Sequence, residues 1–119
     1  MPQHPRRSER IAEIVQRIVG ELLVTSVKDP RLQMVTITGA KASADSQHVT
    51  LYFSLTGDEN RRKEAMAAFK AATGFFRSHL RQETEFRVVP ELRFQYDQSL
   101  DEGEKIDRLL REVTRHDQH

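Results

Sequence analysis

Along Arg61–Glu83 (RRKEAMAAFKAATGFFRSHLRQE), the cations Lys63, Lys70, Arg77 and Arg81 and the bare Gly74 recur at helical spacing. At about 100° per residue they fall within roughly 40° of one direction. Ala65, Ala68, Phe69, Ala72, Phe76 and Leu80 take the opposite side, so the apolar face packs inward and the cations face out. Such a line of ammonium and guanidinium groups neutralises phosphates, and each contact releases counterions. Gly74 leaves backbone uncovered in the middle of it, where a phosphate or sugar can come close, and the N–H groups opening a second helix would favour an anion. The chemistry this predicts is docking to a polyanion, nucleic acid above all. The plainer reading is a helix end followed by another helix, with Gly74 a kink that serves only to pack Phe75 and Phe76.

Further cations lie outside this segment. Arg6, Arg7 and Arg10 sit at the start of a helix, where they either reach RNA or are solvated. Lys28 and Arg31 flank Asp29-Pro30, where the alternative to a binding role is a surface turn with a local charge pair. Arg61, Arg62 and Lys63 open a helix whose N-terminal partial charge they oppose, a placement that an external anion would explain. Phe53, Phe69, Phe76, Phe94 and Tyr96 stand at core spacing, whereas Phe75 and Tyr52 lie nearer the flanks of their elements and are candidate contacts.

Nothing in the chain spells out a reaction. His48 and His79 are isolated, His116 and His119 are a weak metal pair at the chain's end, and Glu83, Glu85 and Glu91 read as a solvated face. No phosphate loop, nucleophile elbow or dinucleotide fingerprint is present. The expectation is a protein without catalytic residues, metal or cofactor.

The 119 residues are 37% hydrophobic, which suits one domain of ordinary size covering 1–119, with a core over about 6–98. Cysteine is absent, excluding disulfides and thiolate chemistry. No apolar run approaches the roughly 20 residues of a membrane span, and MPQHPRRSER lacks a signal peptide's apolar region, so a cytoplasmic monomer that avoids membranes is expected. The net charge of +1 hides a separation. Residues 1–81 hold 13 basic and 8 acidic side chains, and residues 82–119 hold 6 and 10. One face therefore suits phosphates and another repels them.

These residues need elements to position them. Ile11, Ile14, Val15, Ile18, Val19, Leu22 and Leu23 predict an amphipathic helix starting near Pro5 or Ser8 and stopping before Lys28-Asp29-Pro30. Val35 and Ile37 alternate with threonines, and Val49, Leu51, Phe53 and Leu55 follow a turn at Ala44-Asp45-Ser46, which predicts a hairpin with one buried face. After Gly57-Asp58 and Asn60 comes the basic helix pair. Pro90 then leads a third strand in which Leu92, Phe94 and Tyr96 alternate with Arg93, Gln95 and Asp97, and Ser99-x-x-Glu102 has capping-box spacing before a C-terminal helix at about 101–115.

The order α-β-β-α-α-β-α predicts an α+β sandwich, with a kinked helix pair on one face of a three-stranded sheet. Its αββααβ core is that of a type II KH-like domain, in which RNA is gripped at a Gly-x-x-Gly turn between paired helices. Here that turn reads Ala71-Ala72-Thr73-Gly74. The missing first glycine predicts a more helical turn, suited to folded RNA over a single strand.

Three segments make the likeness more specific. Ala72-Thr73-Gly74 with Phe75-Phe76-Arg77, Lys28-Asp29-Pro30-Arg31-Leu32, and Arg87-Val88-Val89-Pro90-Glu91-Leu92-Arg93-Phe94 running on to Asp97 and Ser99 occur in the order seen in the ribosome-binding factor A family. The chain resembles that family from about residue 6 to residue 113, its Ala-x-Gly standing in for Gly-x-x-Gly. The resemblance implies binding to the free small (30S) ribosomal subunit through its 16S rRNA, with ribosomal proteins as further neighbours. It also implies assistance in late maturation, including processing of the precursor's 5′ end, and support of growth in the cold.

Overall fold

The computed structural model describes residues 4–99 together with 109–110. Helix α1 runs from His4 to Thr25. Its buried Val15, Ile18, Val19 and Leu22 form one stripe at 3.6-residue spacing. It ends where the N–H groups of Ser26 and Val27 both close on the Leu22 carbonyl, and the chain then enters a short 3₁₀ turn, Pro30–Leu32. Asp29 caps that turn, accepting the Arg31 backbone N–H at 2.9 Å, and Leu32 drops into the core.

Three strands follow in register: β1 (Thr36–Ala42), β2 (His48–Ser54) and β3 (Glu91–Tyr96). The sheet order is β1-β2-β3, with β2 antiparallel to β1 and parallel to β3. Central β2 sets the buried face by strict alternation of Val49, Leu51 and Phe53, joined by Leu92 and Phe94 of β3. In β1 the alternation breaks. Ile37 pairs with Phe53 but Gly39 with Tyr52, so Thr38 is an extra residue, after which Ala40 and Ala42 turn inward. Bulges of this kind re-aim a side chain, and the Thr38 hydroxyl donates to Asp97 Oδ2 at 2.6 Å.

A parallel β2–β3 pair needs a crossover, and α2 (Glu59–Glu83) supplies it. Asp58 caps its start by accepting the Arg61 backbone N–H at 3.0 Å, while Gly57 before it takes a φ of 146° that side chains disfavour. Ala65, Ala68, Phe69, Phe76 and Leu80 bury the inner face. Phe69 stacks on Phe94 with centroids 4.2 Å apart and tilts against Phe53 at 5.0 Å. Both helices lie on one face of the sheet, α1 chiefly against β1 and α2 against β3 and the 3₁₀ turn.

One expectation is corrected. Where two helices joined by a kink are predicted, α2 is a single helix of 25 residues in which Gly74 is an interior position. A glycine costs about 1 kcal/mol there relative to alanine. The neighbouring alanines and the buried rings of Phe69 and Phe76 on either side outweigh that cost, and the Thr73 hydroxyl bonds back to the Phe69 carbonyl at 2.9 Å without ending the helix. Of the C-terminal helix expected over about 101–115, residues 109–110 are helical and the rest lies outside the described residues.

Candidate nucleic-acid interface

Four of the five residues on the predicted stripe are where the periodicity puts them. Lys63, Lys70, Gly74 and Arg81 are all exposed on α2, over a length of about 27 Å at 1.5 Å per residue. At Gly74 a Cβ would meet nothing within 4 Å. No neighbour in the chain therefore demands a glycine, and the backbone there is open to whatever lies outside. Ala72 and Thr73 are half-buried beside it and belong to the helix.

Arg77 is the exception. Its guanidinium swings toward the sheet, with Nε donating to the Pro90 carbonyl at 3.2 Å and Nη2 to the Val89 carbonyl at 3.1 Å. These carbonyls belong to the segment entering β3. Arg77 thus fastens the C-terminal half of α2 to the edge strand.

Between that clamp and the middle of α2 lies a trough of about 550 Å³ lined by Met66, Ala67, Lys70, Thr73, Leu92, Arg93 and Phe94. Lys70 stands on its helix side and Arg93 on its strand side, and the floor is apolar. Arg93 was not among the expected contact residues. Its position in the outward half of the β3 alternation is the available signal, which marks it as exposed but not as lining a trough with Lys70.

The cations at the start of α2 have internal occupations. Arg61 lies 3.9 Å from Glu64, and the Arg62 guanidinium sits 3.8 Å from the centre of the Tyr96 ring, a cation–π contact tying α2 to the end of β3. Their placement therefore has an explanation other than an external anion. Lys63 is exposed. At the 3₁₀ turn Arg31 binds Asp29 through Nε at 3.0 Å and Nη2 at 2.7 Å, so the local charge pair is what forms there, next to an exposed Lys28. The Arg31 side chain, as donor, holds the Asp29 carboxyl below its ordinary pKa.

Arg7 and Arg10 lie on α1 at a cleft near the β1–β2 turn, where Arg87 meets them from the α2–β3 connection. The Arg6 side chain lies outside the described residues, as do His116 and His119. Tyr52 is half-buried and Phe75 is 39% exposed, its ring 4.7 Å from that of His79. Among the described residues, no three His, Asp or Glu side chains gather as a metal site requires, and no helix is long and apolar enough to cross a membrane.

Two helices on one face of a mixed β1-β2-β3 sheet, with a cationic helix side exposed, define a KH-like α+β domain of type II. The chain belongs to the ribosome-binding factor A family, whose model matches residues 7–110. A ribosome-binding factor A from Geobacter metallireducens is 40% identical over 108 residues, covering 91% of this chain and 92% of that protein. The crystal structure of ribosome-binding factor A from Thermus thermophilus superposes with a TM-score of 0.67 at 21% identity, over 75% of this chain and 93% of that one. A homology model of the Thermus thermophilus factor, fitted into a cryo-EM map of a 30S–RbfA complex, matches with a TM-score of 0.63 and 21% identity, over 76% and 96%.

Proposed function

We propose that this protein binds the free small ribosomal subunit through 16S rRNA and assists its late maturation, including processing of the precursor's 5′ end, without itself catalysing a covalent step. The observation that carries the reading is the exposed line Lys63–Lys70–Gly74–Arg81 on α2, in a chain of this family. The Thermus relative's fit into a 30S complex supports the choice of subunit. Lys63, Lys70 and Arg81 neutralise phosphates, and Gly74 admits a phosphate or sugar to the helix backbone. Lys70 and Arg93 flank the trough beside β3. Arg77 holds that edge in place from within.

An unbroken α2 offers no loop to clamp a single strand, so recognition is of the shape and phosphates of folded RNA. Arg7 and Arg10 supply a second basic region, and Lys28 stands at the end of the molecule nearer the start of α2. The protein acts as a cytoplasmic monomer, and its contribution is greatest in the cold, where misfolded RNA escapes slowly.

The test is binding to purified 30S subunits across a salt series. Phosphate-dominated binding weakens steeply, linearly in log–log form. An affinity indifferent to salt, or turnover of RNA by the pure protein, would overturn the reading.

A further inference from the structure

A large concavity lies away from the exposed cations of α2. It is a cleft of about 920 Å³ where the first half of α1, the β1–β2 turn and the α2–β3 connection converge. That volume falls in the range of about 300–1,000 Å³ usual for sites that hold a small organic group. Three arginines line it, Arg7 and Arg10 from α1 and Arg87 from the connection. Arg87 follows Arg10 by 77 residues and Arg7 by 80, so it meets them only through the fold.

The wall between these arginines is apolar, made by Ile11, Ile14, Phe86 and Val88. Ile11, Ile14 and Phe86 pack partly against the core, but Val88 is 71% exposed on the rim, so the chain's own packing does not explain it. Two acidic residues also reach the cleft. Asp45 is already engaged, accepting from the Ser43 hydroxyl at 2.6 Å and the Gln47 N–H at 3.1 Å. Among the described residues, none of the three arginines forms an ion pair with it or with Glu85. Guanidinium groups left without carboxylates around an apolar wall are suited to two things at once: bidentate contact with phosphate, and stacking on a planar ring.

We propose that this cleft receives an unstacked nucleotide of folded ribosomal RNA, its phosphates held by Arg7, Arg10 and Arg87 and its base laid against Phe86 and Val88. This rests on the reading of the protein as an RNA-contacting factor and extends it. On α2 only Lys70 of the exposed cations stands beside an apolar floor, at the trough, whereas in the cleft three guanidinium groups share one apolar wall. The α2 stripe therefore reads shape and backbone, and the cleft captures a base that the RNA has released from its stack, as at a bulge or a loop.

A photoreactive benzoylphenylalanine placed at exposed Val88 in the full chain, irradiated on purified 30S subunits, tests the assignment. The expected result is a crosslink to 16S rRNA at one or two neighbouring nucleotides, reduced at least tenfold by the triple substitution R7A/R10A/R87A when subunits are saturated. These side chains contribute no ion pair to the described fold, and a circular dichroism melt checks that the triple variant remains folded. Its salt slope should fall by about 2, at roughly 0.7 per phosphate of a single strand. A crosslink to ribosomal protein alone, a crosslink unaffected by the triple substitution, or no crosslink from a bound protein overturns the proposal while leaving subunit binding intact. Failure of the unsubstituted protein to bind subunits would remove the parent reading as well.

Discussion

Arg77 on α2 reaches across to Pro90, donating from Nε to its carbonyl at 3.2 Å, while Nη2 takes the Val89 carbonyl at 3.1 Å. Both carbonyls come just before β3, which among the described residues is an edge strand with no partner on its outer side, so this clamp helps decide how β3 sits beside the helix. Arg77→Ala leaves two carbonyls without that donor, and a loss of about 1–3 kcal/mol is expected, measured as a lower urea midpoint at unchanged m-value. Arg77→Lys keeps the charge but lacks the fork, and should recover less than half of the loss. A variant as stable as wild type that nevertheless binds subunits with a shallower salt slope would place Arg77 in solvent against phosphate.

The α2 stripe should behave in the opposite way. Lys63, Lys70 and Arg81 are exposed and add little to the core, so single alanine substitutions should alter stability by less than about 0.5 kcal/mol. Each should reduce the log–log salt slope of 30S binding by about 1. Filter binding at three or four salt concentrations separates this outcome from a uniform loss of affinity caused by partial unfolding.

Gly74 allows a test in which folding and binding move in opposite directions. A Cβ there meets open space within the chain, and the residue is helical, so Gly74→Ala should raise stability by about 0.5–1 kcal/mol, visible as a higher melting temperature. If RNA approaches the backbone at this point, the added methyl separates it from the helix and affinity for subunits drops. A more stable protein with undiminished affinity would show that the glycine touches nothing.

The broad architecture was legible because burial imposes simple periods. Val49, Leu51 and Phe53 fix the inner face of β2, and Val15, Ile18, Val19 and Leu22 fix that of α1, before any tertiary contact is known. The break predicted at Gly74 was not there, because a single weak helix former flanked by alanines and anchored by Phe69 and Phe76 is carried along by its neighbours. Thr38 was read as an outward residue of regular alternation, and only pairing with β2 shows it to be an extra one. The helical wheel located Arg77 to within 40° but says nothing of reach, and its long side chain turns from the exposed face to backbone carbonyls. Arg87 and Arg93 escape the sequence for a related reason: the cations that line the same cavities, Arg7 with Arg10 and Lys70, are distant in sequence and are brought to them only by the fold.

The pH dependence should be set in part by Asp97. Its carboxylate accepts from the Ser99 hydroxyl and backbone N–H and from the Thr38 hydroxyl, and these bonds, led by that of the Ser99 side chain, lower its pKa below the ordinary value of about 3.9. Because the folded value is the lower one, the unfolded chain takes up the proton first on acidification. The stabilisation is therefore complete above the unfolded pKa and fades as pH falls through the folded one. Asp97→Asn should be less stable than wild type at neutral pH, and the difference should narrow steadily below about pH 4. Thr38→Val removes one of the three donors and should narrow the gap between the folded and unfolded pKa, which titration of the Asp97 carboxyl carbon by NMR reads directly. An Asp97→Asn deficit that is constant from pH 7 to pH 2 would show that the side chain's shape matters at the β1 bulge and its charge does not.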